Sequence, residues 1–284
     1  MVSVTPLRRL ESPAHARLIE RLIEIAKRDE PLSCCLRVRV KQEHVLSAVN
    51  FDNPTLVLLL QGHKRIRTPG GWLGLTAGEG FLVPEPMPLD IENTPDPVSG
   101  FYTAVGVALD ESVLGAARQL VREPIMDSSG GISAVALDEH AGDLAAWLDE
   151  LERRDLPRAR YFMTGIVMRL YAQGHRRLLC PSPPTLSVRI RAMVAADPER
   201  DWSSADLESA LALSGATLRR HLAAEGSSLR QVVGEARLSH GLTLLLSTRL
   251  PVKSVAARVG YTSVSAFIKR FRERYGVEPS RVGG

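Results

Sequence analysis

Val264, Ser265, Ile268 and Lys269 occupy the first turns of the outward face of a helix that the spacing places after Ser263. Short side chains at the start of a helix fit against base-pair edges, and a Lys or Arg beside them can hydrogen-bond an acceptor there. Arg272 lies one turn beyond Ile268. A long cation at that distance reaches a phosphate, which fixes register without reading sequence. Arg270, Arg272 and Arg274 are divided between such phosphate contacts and plain solvation. Ala266, Phe267, Phe271 and Tyr275 form the stripe expected to be buried, so the aromatic rings are assigned to packing rather than to base stacking. A second set stands earlier: Ala216, Thr217, Arg219, Arg220 and His221 lie near the exposed start of another helix. An Arg there can pair bidentately with guanine O6 and N7, whereas His221 is read as a capping or solvated histidine.

The elements that must position these residues are legible around them. Val252, Val255, Ala256 and Val259 sit at i, i+3, i+4 and i+7, a narrow apolar helical stripe. Gly260 can end that helix with a positive φ, Tyr261 and Thr262 make the turn, and Ser263 can cap the next helix. Gly276 ends the second helix and Pro279 prevents its resumption. In the earlier set, Ser203 or Ser204 caps a helix carrying Leu207, Ala210 and Leu211, and Ser214 caps a second with Leu218 and Leu222 inside. Leu207, Ser214, Leu218 and Leu222 repeat weakly as Val255, Ser263, Phe267 and Phe271, with one extra residue in the second turn. Between the copies, residues 227–248 read as one helix of about 20 residues, roughly 30 Å long. Successive major-groove faces on one side of a duplex lie about 34 Å apart.

The 284 residues are 44% hydrophobic and 24% charged, an ordinary globular composition with length for about two domains. Residues 185–284 hold 15 Lys and Arg against 9 Asp and Glu, so the excess of positive charge belongs to the last hundred residues. That is the footprint expected of a nucleic-acid-binding domain. No run of about 18 apolar residues predicts a membrane span. The start, MVSVTPLRRL, lacks the features of a secretory signal, so a cytoplasmic location is expected. Cys34, Cys35 and Cys180 form neither a disulfide framework nor a zinc pattern. Three prolines within residues 180–187 mark a linker.

Upstream, a helix is predicted over 14–28. In CLRVRVK, Leu36, Val38 and Val40 alternate with Arg37, Arg39 and Lys41, which reads as a half-buried strand. Arg37 and Arg39 could attract an anion or stand as solvated cations on an exposed face. The run 55–62 reads as a strand buried on both faces. KRIRTPGGWLGLT reads as strand, turn, strand, and 78–93 and 100–110 continue the series. Such a series suggests a closed barrel or sandwich. Beyond Asp110 the pattern becomes helical, with helices near 138–154 and 157–174.

VKSVAARVGYTSVSAFIKRFRERYGVEPS closely resembles the second helix-turn-helix of AraC/XylS-type transcriptional regulators, and residues 202–238 resemble the first. The resemblance spans about 187–280. It puts base-facing positions on Ala216, Arg219 and Arg220 and on Val264, Ser265 and Lys269. The chain carries Glu208 where the family has Ala, and Ala212 where it has Gly.

The first half resembles the cupin-type effector and dimerisation domain of those regulators. The implied fold is α+β: a cupin-like β-barrel with dimerisation helices over 1–179, a linker over 180–187, and an all-α domain of two helix-turn-helix units joined by a linker helix over 188–284. The implied function is a bacterial DNA-binding regulator, more commonly an activator, with promoter DNA, RNA polymerase, a homodimer partner and a small-molecule effector or protein as partners. No catalytic residue, cofactor or metal is expected, since no His-x-His pair exists and His44 and His63 are isolated. The alternatives are a metal-dependent cupin enzyme with a helical tail and a protein-interaction module. A related DNA-alkylation-repair protein would need a metal-binding cysteine cluster and a reactive Cys, which three scattered cysteines do not supply.

Overall fold

A computed structural model describes residues 12–28, 35–122, 125 and 131–282. Cys34 and the opening stretch MVSVTPLRRL lie outside the described residues. The element order is α1 (Pro13–Lys27), β1 (Cys35–Val40), β2 (His44–Phe51), β3 (Thr55–Gln61), β4 (His63–Thr68), β5 (Gly71–Thr76), β6 (Glu79–Val83), β7 (Met87–Thr94) and β8 (Tyr102–Ala108). Then follow α2 (Glu111–Leu120), β9 (Ser133–Ala136), α3 (Ala141–Glu152) and α4 (Leu156–Ala172). The C-terminal part holds α5 (Leu186–Ala196), α6 (Ser204–Leu211), α7 (Gly215–Ala224), α8 (Leu229–Ser247), α9 (Val252–Arg258), α10 (Val264–Tyr275) and α11 (Pro279–Val282).

The strands form two antiparallel sheets, β1-β8-β3-β6-β9 and β2-β7-β4-β5. Their facing sides enclose a barrel interior, as the alternation predicts. β3 is buried along Leu56–Leu60, on both faces, because α-helices cover its outer side. The helical pattern after Asp110 is interrupted by β9, which pairs with β6 at the sheet edge. Its four residues are too short to show a period. β2 also has no clean alternation in sequence, since a bulge between Leu46 and Val49 breaks its register with β7.

Three cores follow. α1, α2, α3 and α4 cover the outer face of the larger sheet, with Leu144, Trp147, Leu148, Ile166 and Leu170 inside. The barrel interior is continuous with a second core that includes Leu242, Leu245, Val255, Phe267, Phe271 and Tyr275. A third core holds Ile190, Leu207, Leu218, Leu222, Val232 and Ala236. α8 therefore belongs to two cores. Its first half closes the α5–α7 unit and its second half closes the α9–α11 unit against the barrel. With 19 residues it spans about 28 Å.

Candidate nucleic-acid interface and effector pocket

Each helix-turn-helix unit is built by caps that the sequence announces. The Ser203 hydroxyl, not that of Ser204, caps α6 in a reciprocal box with Asp206. Ser214 Oγ accepts from Thr217 N at 3.3 Å and opens α7, and Ser263 Oγ accepts from Ala266 N at 3.3 Å and opens α10. The equivalent turn positions, Ala212 and Gly260, take left-handed backbone with φ of 53° and 77°. At Gly260 a Cβ would also stand 2.8 Å from Pro198 O, so only glycine fits. Ala212 carries a strain of about 1–2 kcal/mol that glycine would not. Ala212→Gly should raise the unfolding free energy by about 0.5–1 kcal/mol in denaturant titration. The family departure at Glu208 also has a local account: its Oε1 stands 2.6 Å from where a Cβ on Gly215 would be, and it accepts from Ser204 Oγ at 2.6 Å.

Ala216, Arg219 and Arg220 are exposed on α7, with Thr217 half-buried. The Thr217 hydroxyl lies 3.0 Å from Ser214 Oγ, so it is tied to the cap. On α10, Ser265, Lys269 and Arg272 are exposed, whereas Val264 and Ile268 are half-buried against the second core. Lys269 stands 4.0 Å from Glu273, and Arg272 2.9 Å from Glu278. Both pairs are exposed, so solvent and salt leave the cations exchangeable for a phosphate. Ala266, expected in the buried stripe, is exposed; Phe267, Phe271 and Tyr275 complete that stripe at intervals of four, with ring centroids 5.5 and 4.8 Å apart. Pro279 does not simply stop the chain but opens α11, as Pro does at the first position of a helix.

Arg274, which sequence spacing groups with the outward cations, turns instead to the barrel: its Nη2 donates to Asn50 Oδ1 at 3.2 Å. Nearby, Arg191 of α5 holds Asp52 with Nε at 2.8 Å and Nη2 at 2.7 Å. The first link holds the end of β2 and the second holds the β2–β3 connection. Arg191→Ala should lower the unfolding free energy by about 1–3 kcal/mol and speed proteolytic cleavage between residues 180 and 187.

The same connection lines a pocket of about 450 Å³ between the two parts of the chain. Val57, Phe81 and Ala104 supply barrel walls, and Leu242, Thr243 and Leu246 of α8 supply the other side. The walls are mostly apolar; Asn50, Asp52, Asn53, Thr55 and Ser239 add polar groups, and one further polar cluster is buried. Lys64 Nζ donates to Asn93 Oδ1 at 2.7 Å and lies 3.4 Å from Tyr102 Oη, and the Asn93 amide meets His44 Nε2 at 3.0 Å. Burial pushes the Lys64 amine down to about 7 and the Tyr102 phenol well above its usual range. Burial also lowers the His44 imidazole. Among the described residues no carboxylate pairs with Lys64, and its polar partners are Asn93 and Tyr102. Sequence spacing marks none of these residues as an effector contact, and His44 stands there only as an isolated histidine. Among the described residues no group of three His, Cys, Asp or Glu converges to hold a metal, and no helix is long and apolar enough to cross a membrane.

Two helix-turn-helix units on one shared helix, docked on a two-sheet barrel, make up the described architecture. Residues 207–283 match the family described as Helix-turn-helix domain. The transcriptional activator FapR of Escherichia coli is 32% identical over 97 residues, covering 34% of this chain and 37% of that one. The virulence regulon activator VirF of Shigella flexneri is 31% identical over 97 residues, with the same coverage. The chain thus spans about a third of the length of these curated relatives. Unsaturated fatty acid-bound ToxT of Vibrio cholerae superposes with a TM-score of 0.60 at 14% identity, covering 87% of this chain and 92% of that chain. That likeness bears on the fold and extends it through both domains.

Proposed function

We propose that this chain is a sequence-specific DNA-binding transcriptional regulator, an activator, whose N-terminal barrel binds a small-molecule effector. The carrying observation is the shared pocket: one ligand would touch barrel strands and α8 at once, and α8 sets the spacing of α7 and α10. Ala216, Thr217, Arg219 and Arg220 would enter one major groove, and Val264, Ser265 and Lys269 the next, with Arg272 on a phosphate. The size and mostly apolar walls of the pocket, with Lys64 at a polar point, suit an elongated apolar molecule bearing one acidic head. The fatty acid bound by ToxT is of that class. A ligand works as an effector only through different affinities for two domain arrangements, and the Asp52–Arg191 link beside the pocket is the contact such a ligand would strengthen or release. α3 and α4 would carry a homodimer interface; RNA polymerase would be the downstream partner; the setting would be the cytoplasm; and no enzymatic step is assigned.

A duplex selected from a random pool by the purified protein tests this reading. Binding is expected to prefer the selected sequence over a scrambled one by about a thousandfold or more and to weaken steeply with salt. Equal binding to both duplexes would refute it.

A further inference from the structure

A second cleft, of about 550 Å³, lies between β1 and the α8–α9 connection, on the other side of β1 from the effector pocket. Six cations line it: Lys27, Arg28, Arg37, Arg39, Lys41 and Arg249. No carboxylate lines it among the described residues. Three of the six are accounted for. Lys27 pairs with Glu24 and Arg28 with Glu152, and buried Arg37 donates to the carbonyls of Ile25 and Arg28. This also corrects the picture of Arg37 as a solvated cation.

The other three, Arg39, Lys41 and Arg249, have no acidic partner among the described residues. The Arg39 guanidinium carbon stands over the Phe101 ring, 3.4 Å from its centroid, with Lys41 Nζ 5.6 Å from the same centroid. A guanidinium held over a ring keeps N–H donors for an oxyanion. Arg39 Nε is shielded from solvent and without a hydrogen-bond partner. Burial and the nearby Arg249 both disfavour the Arg39 charge. Like charges gathered at a domain junction repel unless a counter-charge enters.

We infer that this cleft is a binding site for a small, multiply charged phosphate, held by Arg39, Lys41 and Arg249. Three cations without an acidic partner among the described residues suit an anion of two or three negative charges. A phosphoryl group offers several acceptor oxygens on one centre, which suits forked Arg donors. Arg39 and Lys41 belong to the barrel side, and Arg249 sits in the joint that leads from α8 into α9. A phosphate bound here would fasten the barrel to the second helix-turn-helix. The site is independent of the effector pocket and of the DNA-binding reading.

The test uses the full chain and inorganic pyrophosphate, with sodium chloride at matched ionic strength as control. Pyrophosphate should give a saturable rise in unfolding temperature, about 5 °C at a hundredfold excess over its Kd. Isothermal titration should show one site. The double variant Lys41→Ala/Arg249→Ala should unfold no lower than the parent without anion, since it removes repulsion, and should bind pyrophosphate at least tenfold more weakly. If that variant fails to fold, Arg249→Gln alone should show the weakening. An equal rise in parent and variant would place the anion elsewhere and overturn the assignment. So would no rise beyond the chloride control. In that last case, a loss of about one unit of salt slope in duplex binding by Arg249→Gln would assign the cleft to the DNA footprint instead.

Discussion

Replacing Arg219, Arg220 and Lys269 together by Ala should abolish selective binding to the cognate duplex while leaving the protein folded. All three are exposed and lie outside the cores, so unfolding should change by less than about 0.5 kcal/mol. Removing one bidentate pairing between a side chain and a base costs about 1–3 kcal/mol. Two such pairings alone reduce affinity by between about thirtyfold and about twenty-thousandfold, which a mobility-shift titration resolves. Arg272→Ala should behave differently: affinity falls alike for cognate and scrambled duplexes, and the salt slope drops by about one. That contrast separates reading from positioning. If the triple variant also weakened both duplexes equally, the three residues would be phosphate contacts and base reading would have to move to Ala216, Val264 and Ser265.

The second large effect concerns Lys64. Burial takes its amine from an unfolded value of 10.5 to about 7, so between these values the unfolded chain binds the extra proton. Stability therefore rises with pH from about 7 to about 10.5 and is flat, with the full penalty present, below 7. The span corresponds to a few kcal/mol, on the order of 4. Lys64→Met should remove this slope, measured as the difference in unfolding free energy between pH 7 and pH 9.5. Asn93 Oδ1 loses its donor in the variant, so the slope rather than the stability at neutral pH is the quantity to follow. The same variant should lose stabilisation by a long-chain carboxylate such as oleate, because the acid head has no cation left to meet. A retained slope would assign the proton to another group, and retained oleate binding would place the ligand away from Lys64.

How much is legible in the sequence depends on the element. Caps and turns at Ser203, Ser214, Gly260, Ser263 and Gly276 are legible because each satisfies a local backbone requirement that few residue types meet. Phe267, Phe271 and Tyr275 are legible from their spacing, and the period of four by itself leaves Ala266 outside. Lys64 is hidden for a different reason. The strand His63–Thr68 alternates His63, Arg65 and Arg67 with Lys64 and Ile66, so cations stand on both faces and no apolar alternation marks the inner one. Pairing with β5 and β7 decides it. Arg274 and Arg191 are equally hidden, since Asn50 and Asp52 lie 224 and 139 residues away from them in sequence. Their roles come from how the domains dock, and no local pattern encodes that. Arg37 and Arg39 show the intermediate case: alternation places them on the face opposite Leu36 and Val38, but what meets that face is the end of α1 at Arg37 and the α8–α9 joint, far along the chain, beside Arg39.

The pocket shared by the barrel and α8 is the proposed coupling between an effector and DNA affinity. The most direct measurement of that coupling is the dissociation constant of the full chain for its selected duplex, with and without saturating oleate, in the parent and in Lys64→Met. A change of at least about fivefold is expected in the parent, matching a coupling of about 1 kcal/mol or more, and none in the variant. An unchanged dissociation constant in the parent, with oleate shown to be bound, would contradict the coupling.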